Sequence, residues 1–80
     1  MNVEDAQRIA IARLLMLPDP VDIDTANKEA ILPTIYEHLE HERHLSMSEL
    51  EQCGFVTNMS DGVRWYGWSV TDKGRRFLNE

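Results

Sequence analysis

Eighty residues with 42% apolar side chains, two tryptophans and a single cysteine describe one small ordered domain, and exclude an internal disulfide and the structural zinc sets built on two or more cysteines. The apolar stretch "IAIARLLML" follows an acidic segment without a basic leader, ends at Pro18 and is too short to span a bilayer, so an intracellular, soluble protein is expected. The net charge of −6 is uneven: residues 1–53 carry eleven acids against four bases, and residues 54–80 carry three acids against four bases, which disfavours phosphate contact over most of the chain.

In chain order, "VEDAQRIAIARLLMLP" spaces Val3, Ala6, Ile9, Ala10, Leu14 and Leu17 as one helical face. Asn2 is placed to cap this helix, Glu4 and Asp5 suit its positive end, and Pro18 stops it. "PDPVDID" reads as a stiff acidic linker whose two prolines forbid helix. A second helix is expected to open at Asp24 or Thr25. It is expected to break near Leu32, because the residue before Pro33 is pushed away from the α region. "TIYEHLEHERH" resumes as helix, with Leu32, Ile35, Tyr36 and Leu39 as a core stripe.

Ser46 and Glu49 in "SMSE" form a capping box for a short helix over 47–53, and Gly54 is the expected stop. The period then changes from helical to two. Phe55 and Val56 begin one strand, "NMSDG" turns, and residues 63–70 form a second. Alternation puts Tyr66, Trp68 and Val70 on a core face, with Val63 and Trp65 opposite. Thr71 caps a last helix, "DKGRRFLNE", whose Phe77 and Leu78 fold back on the core. The fold class expected is a single α+β domain over 1–80, with three to four helices, a C-terminal hairpin and a short last helix.

"ELEQCGFV", a hairpin and "WSVTDKGRRFL" resemble the winged helix-turn-helix domains of bacterial and phage transcription regulators. Leu50, Gly54, Phe55, Val56, Trp68, Val70, Thr71, Gly74 and Arg75 match that pattern over about the last thirty-five residues. The resemblance implies a two-stranded wing and, in such regulators, a helix before it that enters the major groove with basic and amide side chains. Here that helix, "MSELEQC", offers Glu49, Glu51 and Gln52 and no base. Fold resemblance therefore does not carry DNA binding with it.

"EHLEHERHL" places His38, His41 and His44 at three-residue steps among Glu37, Glu40 and Glu42. That spacing fits neither zinc-protease pattern and winds round a helix, so a solvated face with Glu–His pairs is expected rather than a metal site. Among carboxylates, these histidines also offer a pH-sensitive surface. Trp65 is either a partner anchor or covered by the N-terminal segment. Cys53 is expected to be a small core residue. With no phosphate-binding glycine loop and no placed nucleophile–base pair, neither catalysis nor a cofactor is expected.

The reading that follows is a non-enzymatic acidic regulator, an adaptor or inhibitor. It would dock Glu37, Glu40, His41, Glu42, His44, Glu49, Glu51 and Trp65 on a basic surface of nucleic-acid-handling machinery. In size and charge it is similar to the small acidic DNA-mimicking proteins of phage and mobile elements. The alternative is a dimeric winged-helix transcription regulator holding DNA through Arg64, Lys73, Arg75 and Arg76. No membrane partner is expected, and homodimerisation stays open.

Overall fold

Helix α1 (Val3–Leu15) turns Ala6, Ala10, Ile11 and Leu14 inward, and the computed structural model leaves all four essentially without solvent contact. That model describes residues 3–38, 45–60, 63 and 65–80, with His38 and Trp65 through their backbone alone. The helix ends before Pro18, with the amides of Met16 and Leu17 donating to the carbonyls of Arg13 and Leu14. Ile11, absent from the expected stripe, is fully buried, whereas Val3, Ile9 and Leu17 are only half-buried. The cap expected of Asn2 lies outside the described residues.

The next three elements are α2 (Ile23–Ala26), a π-helical turn (Asn27–Ile31) and α3 (Leu32–His38), and they follow one another without a break. Leu32 is helical (φ −61°, ψ −45°), so the break expected there does not occur. Proline has no N–H and its ring crowds the carbonyl four residues back. The chain meets this by widening the turn that leads into Pro33 rather than by stopping: the Leu32 amide donates to the carbonyl of Asn27, five residues back. The helix starts at Ile23, one residue ahead of Asp24, and Asp22 stands at its N-cap without a side-chain cap bond.

The expected core stripe on α3 is also displaced. Leu32 and Tyr36 are 41% and 81% exposed, while Ala26, Ala30, Ile31 and Thr34 are buried. Positions 31/35 and 32/36 are both helical pairs, so spacing alone did not choose between them. The choice comes from packing: the π turn lies against α1, and Ala26 and Ala30 are buried with Ala6 and Ala10 in one core. Leu39, the fourth residue of that stripe, lies outside the described residues.

Helix α4 (Met47–Gln52) is closed at both ends by its own sequence. The Ser46 hydroxyl accepts from the Glu49 amide at 3.1 Å. At the other end the amide of Gly54 donates to Glu51 and that of Phe55 to Leu50, a Schellman pair that needs the left-handed φ of +82° found at Gly54. The chain then enters β1 (Val56–Ser60), which pairs antiparallel with β2 (Trp65–Val70) in the register Val56↔Val70 through Met59↔Gly67. Asn58, Met59 and Ser60, expected in the turn, are strand residues, with a register shift between Met59 and Ser60. Pairing across from Gly67 and Trp68 outweighs the turn preference of Asn and Ser.

Val21 adds a single bridge to the far side of β2. Its amide donates to the Trp68 carbonyl at 2.8 Å, and the Trp68 amide donates back at 2.7 Å. The linker can come this close because residue 67 is glycine. Gly67 has φ +141°, and a Cβ there would stand 2.5 Å from the Val21 carbonyl oxygen.

Helix α5 (Asp72–Leu78) opens at Thr71, whose hydroxyl accepts from the Gly74 amide and donates to the Gly54 carbonyl at 2.6 Å. One side chain thereby joins the end of α4 to the start of α5. Phe77 stacks on Phe55 with centroids 4.2 Å apart, closing the core between helix and sheet. Trp68 and Val70 are buried as expected, but Tyr66 on the same strand is 45% exposed. The described part is thus an α+β fold of helices around a two-stranded antiparallel sheet, and none of its helices is long and apolar enough to cross a membrane.

Candidate functional site

The surface chemistry is set by which charges are consumed internally. Arg8 on α1 reaches Glu4 at 3.4 Å and Asp5 at 3.5 Å, donates through Nε to the Phe77 carbonyl, and lies 4.3 Å from the Phe77 ring centroid. Arg13 binds Glu37 at 2.6 Å and donates to the Thr34 hydroxyl at 2.8 Å. Thr34, fully buried, in turn donates a hydrogen bond from its hydroxyl to the Ala30 carbonyl at 2.7 Å. Arg75 faces Asp72 at 3.6 Å. Three arginines are therefore engaged with carboxylates of the same chain.

Asp19, Asp22, Asp24, Glu29 and Glu51 have no such partner among the described residues, and all five are exposed. They run from the linker across the N-terminal half of the long helix to α4. Asp22 and Asp24 sit at a helix N-terminus, where the backbone favours negative charge. The outward residues of α4, Ser48, Glu51 and Gln52, include no base, so the helix that leads into the hairpin presents hydroxyl, carboxylate and amide groups only.

Of the docking residues expected from sequence, Glu37 is committed to Arg13, Glu49 is half-buried in the first turn of α4, and Glu51 is exposed. Glu40, His41, Glu42 and His44 lie outside the described residues, as do the side chains of His38 and Trp65. The Trp65 backbone pairs with Ser60. No cluster of His, Cys, Asp or Glu able to hold a metal occurs among the described residues. Cys53 is half-buried against the core, with the Gln7 amide nitrogen 4.0 Å from its sulfur.

Of the basic set, Lys73 and Arg76 are exposed on α5 beside Arg75, and the Lys73 ammonium lies 5.7 Å from the Phe55 ring centroid. Arg64 lies outside the described residues. Sequence reasoning missed two features. One is the Arg13–Thr34–Ala30 network, which no short motif signals. The other is a cleft between the end of α1, the linker, the sheet and α5, with Asp19 and Arg75 in its lining. The prolines of "PDPVDID" were the available signal for the second, since an extended linker has to lie against something. No protein-family model, curated protein or solved structure matches the chain.

Proposed function

We propose that this protein is a winged-helix-like, non-enzymatic acidic regulator that docks on a basic surface of a protein partner, a surface of the kind that otherwise binds nucleic acid. The observation that carries this reading is the surplus of unpaired acid. Arg8, Arg13 and Arg75 are paired within the chain, and among the described residues Asp19, Asp22, Asp24, Glu29 and Glu51 stand exposed without an ion pair, against Lys28, Lys73 and Arg76. Carboxylates left in this way steer and select a cationic partner more than they stabilise the fold. The order of helices, hairpin and capped last helix supports the winged-helix resemblance, and the base-free outer face of α4 argues against major-groove entry.

A second reading keeps one specific observation in its favour. Lys73 and Arg76 are exposed on α5 without a carboxylate partner among the described residues, and with Arg75 they offer phosphate contacts for a dimeric DNA-binding regulator. Fluorescence anisotropy with labelled random duplex DNA at low salt separates the two. The acidic-regulator reading expects no binding. Binding that weakens with salt and is lost when Lys73, Arg75 and Arg76 become Ala would overturn it in favour of the DNA-binding reading.

A further inference from the structure

A half-open cleft of about 110 Å³ separates the end of α1 from the sheet and α5. Leu14, Val56, Trp68 and Val70 form its apolar walls, and Asp19, Ser69 and Arg75 supply its polar lining. An apolar protein cavity of roughly 150 Å³ accommodates a benzene ring, so this one suits a branched aliphatic group of three or four carbons. Its charged lining is bipolar. Asp19 is exposed and has no ion-pair partner among the described residues, and Arg75 is held only by the solvent-exposed Asp72 at 3.6 Å.

The charge of the chain narrows the ligand further. An anionic ligand approaches a protein of net charge −6 against repulsion. A cationic one satisfies Asp19 and leaves Arg75 unanswered. A net-neutral zwitterion with an apolar tail answers all three features of the cleft. We propose that the cleft binds a free aliphatic α-amino acid of the size of valine or leucine. Its side chain lies against Trp68, its carboxylate on the Arg75 guanidinium and its ammonium on the Asp19 carboxylate. The site shares Asp19 with the exposed carboxylates named above, but Asp22, Asp24, Glu29 and Glu51 are not in its lining, and the proposal rests on the cleft rather than on the function proposed above.

The test is a ¹H–¹⁵N NMR titration of the full chain with L-leucine, following the Trp68 indole and Val70 amide signals, with melting temperature as a second readout. Leucine is expected to shift both signals saturably and to raise the melting temperature with concentration. Glycine lacks the tail, 4-methylpentanoate the ammonium and 3-methylbutylamine the carboxylate; each is expected to bind about tenfold or more weakly. Arg75→Ala and Asp19→Asn, both at exposed positions, are each expected to weaken leucine by about tenfold, the weight of a charge-assisted hydrogen bond. No Trp68 shift up to about 20 mM leucine, well past the millimolar range, overturns the proposal. So does equal binding of leucine and 3-methylbutylamine, or undiminished binding by Arg75→Ala.

Discussion

Replacing Gly67 by alanine tests whether the linker bridge holds the helical layer to the sheet. The new Cβ would stand 2.5 Å from the Val21 carbonyl oxygen and 2.9 Å from its carbon, both backbone atoms that cannot swing aside. At φ +141° the alanine is also strained by about 1–3 kcal/mol. Moving the linker away gives up the two Val21–Trp68 hydrogen bonds, each worth about 1 kcal/mol net. Against this, alanine restricts the unfolded chain and returns roughly 0.4–1 kcal/mol. The sum is a loss of about 2–5 kcal/mol, or roughly 8–40 °C in Tm for a domain of this size. Urea denaturation monitored by tryptophan fluorescence measures it, and hydrogen exchange at the Val21 and Trp68 amides shows whether the bridge itself opened. A loss below about 0.5 kcal/mol with both amides still protected would refute the reasoning, because the clash would then have been relieved without the linker moving.

Gly74→Ala places a Cβ 2.4 Å from the Phe55 carbonyl oxygen and 2.9 Å from a Val70 methyl, so it should destabilise by about 2 kcal/mol although alanine favours helix; thermal melting gives the sign directly. Thr71→Ala removes both the cap on Gly74 and the bond to Gly54, and should cost more than Ser46→Ala, about 2 against about 1 kcal/mol by urea titration. Leu50→Ala, at a fully buried position, should cost about 2–5 kcal/mol, whereas Tyr36→Ser on the exposed side of α3 should stay within about 0.5 kcal/mol. A double-mutant cycle on Arg13 and Glu37 should return a coupling of about 1 kcal/mol or less that fades with salt, since both side chains are partly solvated.

The parts of this fold that were legible in the sequence are those decided by a few adjacent residues. Ser46 and Thr71 as caps, Gly54 as a helix stop, and the burial of Trp68, Val70 and Phe77 each follow from local chemistry. The structure repeats them almost residue for residue. Pro33 does not end the helix, because its steric demand has two solutions and widening a turn keeps the packing against α1. The same contact decided which of two equally periodic stripes faced inward, so Leu32 and Tyr36 came out exposed. Strand β1 runs on to Ser60 because pairing with β2 overrides the turn preferences of Asn58 and Ser60.

Charge was legible in amount but not in allocation. Composition gave the acidic balance of residues 1–53, yet only the folded chain distinguishes Glu37, tied to Arg13, from Glu29 and Glu51, which are not. Such pairs join α1 to α3 across 24 positions, a separation at which sequence spacing carries no signal.

That allocation is the centre of the account, and a matched pair of neutralised variants tests it. One changes Asp22, Asp24, Glu29 and Glu51 to their amides; the other changes Glu4, Asp5, Glu37 and Asp72, which are engaged within the chain. Each alters the net charge equally. Binding of a fluorescent oligolysine peptide at low salt is then measured for both by anisotropy, with circular dichroism confirming that each is folded. The first variant is expected to lose about tenfold or more in affinity while the second stays near the parent protein. Equal losses in the two would show that the peptide reads net charge alone, and would contradict the assignment of the unpaired carboxylates as the docking surface.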